Sequence, residues 1–313
     1  MIEIKKNELL KNHTTFRIGG PAKYFSVAKN SIEVREAIDW AKEKKVNFKI
    51  IGGGSNLLVA DSGFDGLIIK YFGGEINLKN ELMEAGAGVP LTRAMNDSLR
   101  AGLVGLEWSI GIPGTIGGAI CNNAGAYGGE MSQSIASVEV LMGGKIKELK
   151  NADCHFGYRE SAFKNGTITG TILSAKLRLK LVSPEEIVTV KQKMQANLAD
   201  RLSKSAEGGS VGSTFRNITL SEKEIKELKN KFPELPDRFV EYRKVPVAWL
   251  IDECGLKGKK IGGAMVSEKH AGKIINLGGA TAEEVIILIS IVKQKVRSRF
   301  NLQLMEEVEY LGF

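Results

Sequence analysis

The sequence predicts an α+β fold of more than one domain, on three observations. Strand and helix signals alternate through the first third. Strand-like runs and hairpin glycines fill the middle. Two helices, the second of them capped, and a strand-like tail close the chain. At 313 residues the chain is long enough for two or three domains. Its 43% hydrophobic and 26% charged residues are ordinary for a soluble globular protein. A net charge of +8 makes acidic small molecules suitable ligands. Lys and Arg are mixed with Asp and Glu, and no basic run with interleaved aromatics occurs, so nucleic acid is disfavoured.

Tyr24–Ala28 reads as a strand. Ser31 is expected to cap a helix whose positions Val34, Ala37, Ile38 and Ala41 share one face. Phe48–Ile51 and Leu67–Tyr71 are short apolar strands. Pro90 suits the first turn of a helix stopping near Gly102. Strands follow near Val138–Leu141 and over Ile168–Leu181, with hairpin glycines at Gly143-Gly144. Ser183-Pro184-Glu185-Glu186 is a capping box opening a helix of about twenty residues. The polar, glycine-rich stretch after Ser203 sets a domain boundary near 200. Beyond it come a helix near Val247–Cys254 and another opened by Thr281 and Glu284, with Val285, Leu288, Ile289 and Val292 on one face. Leu302–Leu311 is expected to be a strand.

The longest apolar run, Val285–Val292, is too short to span a bilayer, and the charged start lacks the apolar core of a leader. Cys121, Cys154 and Cys254 are widely spaced and odd in number, as expected in a reducing compartment; Cys121 is expected to be a small buried side chain, with contact to a ligand of the glycine segment the alternative. His13, His155 and His270 are isolated, so no metal site is expected.

Residues 111–129 hold seven glycines in nineteen positions, and Ile51-Gly52-Gly53-Gly54-Ser55-Asn56 forms a second glycine segment. Such segments let backbone amides approach a ligand closely. Two of them, about sixty residues apart, point to a long phosphate-bearing cofactor. A P-loop is absent. Gly86-Ala-Gly88 lacks the third glycine of a Rossmann fingerprint, so another dinucleotide fold is implied.

Thr15-Phe16-Arg17-Ile18-Gly19-Gly20-Pro21-Ala22, Gly52–Leu58 and the 111–129 segment resemble the FAD-binding half of the UDP-N-acetylenolpyruvoylglucosamine reductase family. Gly157-Tyr158-Arg159-Glu160-Ser161, Gly212-Ser213-Thr214-Phe215-Arg216-Asn217, Trp249–Gly258, Ile261–Ala264 and Met305-Glu306-Glu307-Val308 extend the likeness through nearly the whole chain. The resemblance implies a vanillyl-alcohol-oxidase (PCMH)-type FAD-binding domain of two α/β subdomains, 1–72 and 73–200. A C-terminal α+β substrate-binding domain, 201–313, would carry Glu307 back to the active site. It further implies a cytoplasmic, NADPH-dependent flavoenzyme of peptidoglycan synthesis. The enolpyruvyl ether of a UDP-sugar would be reduced to UDP-N-acetylmuramate, with NADPH and the sugar using one cleft in turn. A monomer is expected. The short segment between Arg159 and Ser213 matches the shorter class, which lacks a substrate-covering tyrosine loop. Gly-Gly-Gly-Ser stands where covalent relatives commonly place a histidine, so the flavin is expected to be non-covalent.

Under this resemblance Arg17, Gly52, Gly53, Gly54, Ser55, Asn56, Gly111, Pro113, Gly114, Thr115, Gly117, Gly118, Asn123, Ala124 and Gly125 would bind FAD. Hydride addition beside a carboxylate develops enediolate charge. Arg159 would hold that carboxylate through paired hydrogen bonds, an interface ion pair being the plain alternative. Ser213 would protonate the enediolate, with a loop cap as the alternative. Glu307 would stabilise the reacting geometry or help position the proton relay, with a solvated edge charge as the alternative. Met305 and Glu307 share one side of a strand, Glu306 and Val308 the other, and Glu307 is the residue matching the family pattern. Tyr158, Asn217, Lys257 and His270 would contact the sugar nucleotide, with a core tyrosine the alternative for Tyr158 and an exposed loop histidine that for His270. Asn217-Ile218 and Ala271-Gly272-Lys273 depart from the usual pattern and put the finer shape of the sugar pocket in question. A different flavoenzyme on the same fold and a non-catalytic nucleotide-binding protein are the rival readings.

Overall fold

The computed structural model describes residues 2–205 and 208–313. It divides into two compact units. One comprises 1–8, 22–54 and 64–203; the other comprises 9–21, 55–63 and 204–313.

The first unit contains one four-stranded and one five-stranded sheet, each with its own core. One sheet is ordered Lys5–Leu9, Pro21–Ala28, Phe64–Tyr71, Phe48–Ile51, and its last three strands run parallel. Helix α1, Ser31–Glu43, buries Val34, Ala37, Ile38 and Ala41 against Leu67, Ile69 and Tyr71. Its cap is Asn30 rather than the expected Ser31. Asn30 is extended and its side chain accepts from Glu33 N at 2.9 Å, which leaves Ser31 as the first helical residue. The other sheet is antiparallel throughout, in the order Lys145–Lys150, Ile135–Met142, Thr171–Arg178, Leu82–Gly86, Ile76–Lys79. Its core is closed by α2, Leu91–Arg100, and α3, Ile116–Cys121. Pro90 is the extended residue before α2, not part of its first turn. Helix α4, Pro184–Ser203, starts at the expected box, with Glu186 N donating to Ser183 Oγ and Ser183 N to Glu186 Oε2. The two sheets and their flanking helices bear out the α+β class.

The second unit packs α5 (Glu222–Lys231), α6 (Asp237–Glu241), α7 (Val247–Glu253) and α8 (Ala282–Phe300) around a small antiparallel sheet. That sheet runs Gly209–Ser210, Ile274–Asn276, Ala264–Val266, Lys260–Ile261. Thr281 and Glu284 form the expected capping box of α8. The unit is discontinuous, unlike the contiguous 201–313 expected. Phe16, Ile18 and Leu58 are buried in its core, and Glu309–Leu311 pairs in parallel with Leu57–Val59. The tail is regular strand only over Glu309–Leu311, because Leu302–Val308 makes just one bridge, Phe215 to Glu306.

Candidate active site

Within the first unit the two glycine segments touch. The strand Phe48–Ile51 runs into Gly52, where a Cβ would lie 2.4 Å from Thr115 Oγ1. A Cβ on Gly53 would lie 3.1 Å from Gly114 Cα. Thr115 is buried and caps α3, its Oγ1 accepting from Gly118 N. Side chains at 52 and 53 would therefore wedge apart two backbone ribbons rich in amide donors, the arrangement a dinucleotide pyrophosphate requires. The residues present fit FAD. Gly111 abuts α4 instead, facing Leu198 and Arg201. Pro113 and Gly117 lie along the same turn into α3, with Gly117 pressed on Ala87. Cys121 is half-buried rather than buried.

The Arg159 turn is stitched to the end of this segment. Gly157 and Glu160 exchange backbone hydrogen bonds of 3.0 and 3.1 Å, leaving Tyr158 and Arg159 at the tip. Arg159 is left-handed, φ 56°. Its Nη2 donates to Gly125 O at 2.5 Å and its Nη1 to Asn123 O at 3.5 Å. The guanidinium lies 5.6 Å from the ring centroid of Tyr158, which is exposed. Ser161 Oγ donates to Cys121 O and Lys164 Nζ to Asn122 Oδ1. Asn123 is fully buried and its side chain is bonded to Gly157, Glu130 and Ser132, while Ala124 packs on the core beside it.

Ser213 and Glu307 belong to the second unit. Gly212, at φ 80°, leads into Ser213 and the buried Thr214. Glu307 N donates to Thr214 O at 2.8 Å and Arg216 N to Met305 O at 2.9 Å, flanking the Phe215–Glu306 bridge. The carboxylate of Glu307 thus stems from the backbone position opposite Thr214, the neighbour of Ser213. Glu306 is engaged elsewhere, accepting from Lys293 Nζ at 2.7 Å and from the Tyr310 hydroxyl at 3.1 Å. Burial, then the Glu306 charge beside it, pushes the Tyr310 phenol up. Asn56 ties the tail down: its Nδ2 donates to Glu307 O and its carbonyl accepts from Glu309 N. Arg17 and Ser55 also lie in this unit, Arg17 exposed with φ 57° and its carbonyl accepting from Asn276 Nδ2.

Three of the residues expected to contact sugar nucleotide lie here. Asn217 Oδ1 accepts from Val247 N at 3.0 Å and caps α7. Lys257 pairs with Asp252 at 2.5 Å. The His270 ring is partly buried, and its Nδ1 has no hydrogen-bond partner among the described residues. Burial lowers its pKa first, and the positive charges of Lys273, Lys204 and Lys257 lower it further. Lys273 and Lys204, absent from the sequence expectation, are linked to each other, Lys273 Nζ donating to Lys204 O at 3.0 Å. Lys273 stands three residues beyond His270 on a tight turn, its N–H bonded to His270 O, and that spacing was the available signal. Among the described residues no three His, Cys, Asp or Glu side chains are placed to share a metal ion, and no helix is long and apolar enough to cross a membrane.

Residues 22–150 match the model of an FAD binding domain, and residues 203–311 match that of the UDP-N-acetylenolpyruvoylglucosamine reductase C-terminal domain. A UDP-N-acetylenolpyruvoylglucosamine reductase of Clostridium botulinum (strain 657 / Type Ba4) is 38% identical over 98% of this chain and 92% of its own length. One from Parasynechococcus marenigrum (strain WH8102) is 37% identical over 100% and 97%. The crystal structure of UDP-N-acetylenolpyruvylglucosamine reductase from Thermus caldophilus superposes with a TM-score of 0.75 at 31% identity, covering 99% of each chain. With both halves matched in order and relatives alike along nearly their full length, this chain belongs to the UDP-N-acetylenolpyruvoylglucosamine reductase family.

Proposed function

We infer that this chain is an FAD-containing oxidoreductase that reduces the enolpyruvyl ether of UDP-N-acetylenolpyruvoylglucosamine to UDP-N-acetylmuramate for peptidoglycan. NADPH is the reductant, and the enzyme acts in the cytoplasm as a monomer. FAD, when bound along the Gly52–Asn56 and 111–125 segments, supplies the hydride chemistry. The chain's own residues do the rest. Arg159 grips the substrate carboxylate and stabilises the enediolate charge that develops there. Ser213 delivers a proton from its hydroxyl to the α-carbon. Glu307 orients that hydroxyl. Lys257, His270 and Lys273 hold the diphosphate, and Asn217 and Tyr158 line the sugar nucleotide's path.

The observation that carries this reading is the Phe215–Glu306 bridge, which sets Glu307 opposite the neighbour of Ser213 while Glu306 is committed to Lys293 and Tyr310. The test is a pair of anaerobic half-reactions on the purified holoprotein. NADPH should bleach the flavin, and the enolpyruvyl UDP-sugar should restore its colour. A flavin reduced by an alcohol and turned over by oxygen, or one untouched by the sugar nucleotide, would overturn the assignment.

A further inference from the structure

We propose that Glu130 is a positioning residue for Arg159, acting through the buried side chain of Asn123; this rests on the role given to Arg159 above. Asn123 is 0% exposed and its backbone is left-handed, φ 39°. Its Nδ2 donates to Gly157 O at 2.9 Å and to Glu130 Oε1 at 3.1 Å. Its Oδ1 accepts from Ser132 N at 2.9 Å. The same Glu130 oxygen accepts from Ser132 Oγ at 2.5 Å.

This donor and acceptor pattern admits one orientation of the amide. A carboxylate only accepts, so it faces the NH2 group; a backbone N–H only donates, so it faces the oxygen. Glu130 and Ser132 therefore fix which way Asn123 points. That orientation aims the second N–H of Asn123 at the carbonyl of Gly157. Gly157 opens the turn that carries Arg159, and the same carbonyl accepts Glu160 N. The guanidinium closes the circuit by donating back to Asn123 O and Gly125 O. Glu130 thus stands two hydrogen bonds from a turn whose tip holds an arginine in a conformation that L-residues rarely adopt. A guanidinium that must meet a carboxylate in one plane tolerates little displacement, so loosening this brace reaches the chemistry without touching it.

The experiment uses the holoenzyme with its flavin reduced anaerobically by dithionite, then mixed with enolpyruvyl UDP-sugar while reoxidation is followed by absorbance. Glu130→Ala should slow reoxidation about 10- to 100-fold, whereas Glu130→Gln, which keeps an acceptor oxygen, should stay within about threefold of wild type. Built on Arg159→Ala, Glu130→Ala should change the residual rate by less than about twofold, because its effect runs through the missing guanidinium. Equal slowing in both backgrounds, a Gln variant as slow as Ala, or an Ala variant at the wild-type rate would each overturn the proposal. If Glu130→Ala loses its flavin, Glu130→Asp, which draws the carboxylate back by one methylene, is read in the same cycle. Damage to flavin binding by both variants would assign Glu130 to the cofactor and overturn it as well. A wild-type enzyme whose flavin the sugar nucleotide does not reoxidise would sink the reading of Arg159 itself; unaffected Glu130 variants beside an active wild type would sink this inference alone.

Discussion

Arg159 is held with φ 56°, a conformation costing an L-residue roughly 1–2 kcal/mol, and it keeps that conformation because its guanidinium and its turn are both bonded to the 121–125 segment. Arg159→Ala and Ser213→Ala should each leave NADPH-to-flavin reduction near the wild-type rate and slow reoxidation by the sugar nucleotide about 100- to 1,000-fold, since each acts on the later transition state. Stopped-flow measurement of both half-reactions decides the point, and equal damage to both would assign the residues to the flavin site. His270 gives a pH prediction. Burial and three lysines lower its pKa below the ordinary 6.5, so its contribution to stability is complete above that value and lost as the pH falls through the lowered native one. The urea midpoint should therefore fall between pH 7 and 5, and less so in His270→Gln. A bound diphosphate adds negative charge beside the ring and should raise the His270 pKa in an NMR titration with UDP; an unmoved titration would remove His270 from the diphosphate site.

Elements whose signals are local were legible in the sequence. The boxes at Ser183/Glu186 and Thr281/Glu284 stand where expected because cap and partner lie three residues apart. The α1 cap slipped by one because Asn30 and Ser31 are both good caps, and only the extended backbone at Asn30 decides between them. The glycine segments were legible as close-approach loops, but not as neighbours of each other: nothing in either run announces that Gly52 meets Thr115. That contact is testable. Gly52→Ala sets a Cβ 2.4 Å from the hydroxyl that caps α3, so Thr115 must move or the strand must retreat. Losing the cap costs about 1 kcal/mol, and the displaced loop should retain FAD at least about tenfold more weakly. Flavin absorbance after gel filtration, with the thermal midpoint of the apoprotein beside it, measures both effects. A variant that keeps its flavin as wild type does would detach Gly52 from the cradle.

At the scale of the molecule, the second unit is assembled from three stretches, 9–21, 55–63 and 204–313, separated in sequence by 22–54 and 64–203, and local periodicity carries no trace of such pairing. Phe16, Ile18 and Leu58 are each at most 2% exposed within its core. Burial of such side chains is worth roughly 1.5–3 kcal/mol each, so the three together supply roughly 5–9 kcal/mol against a typical domain stability of about 5–15. The strand Leu57–Val59 also pairs with Glu309–Leu311, Ala60 N donates to Leu311 O, and the carboxylate of Asp61 accepts from Ala282 N and Glu283 N at the start of α8. A fragment beginning at Lys204 keeps α8 and the small sheet but loses all of these at once. It should fail to fold: its far-UV circular dichroism should show no cooperative thermal transition and its amide NMR spectrum should collapse toward random-coil shifts. A fragment joining residues 9–21 and 55–63 to 204–313 through short flexible linkers should recover a cooperative melt. Cooperative folding of 204–313 alone would mean that the C-terminal third is self-sufficient and that the early segments only decorate it.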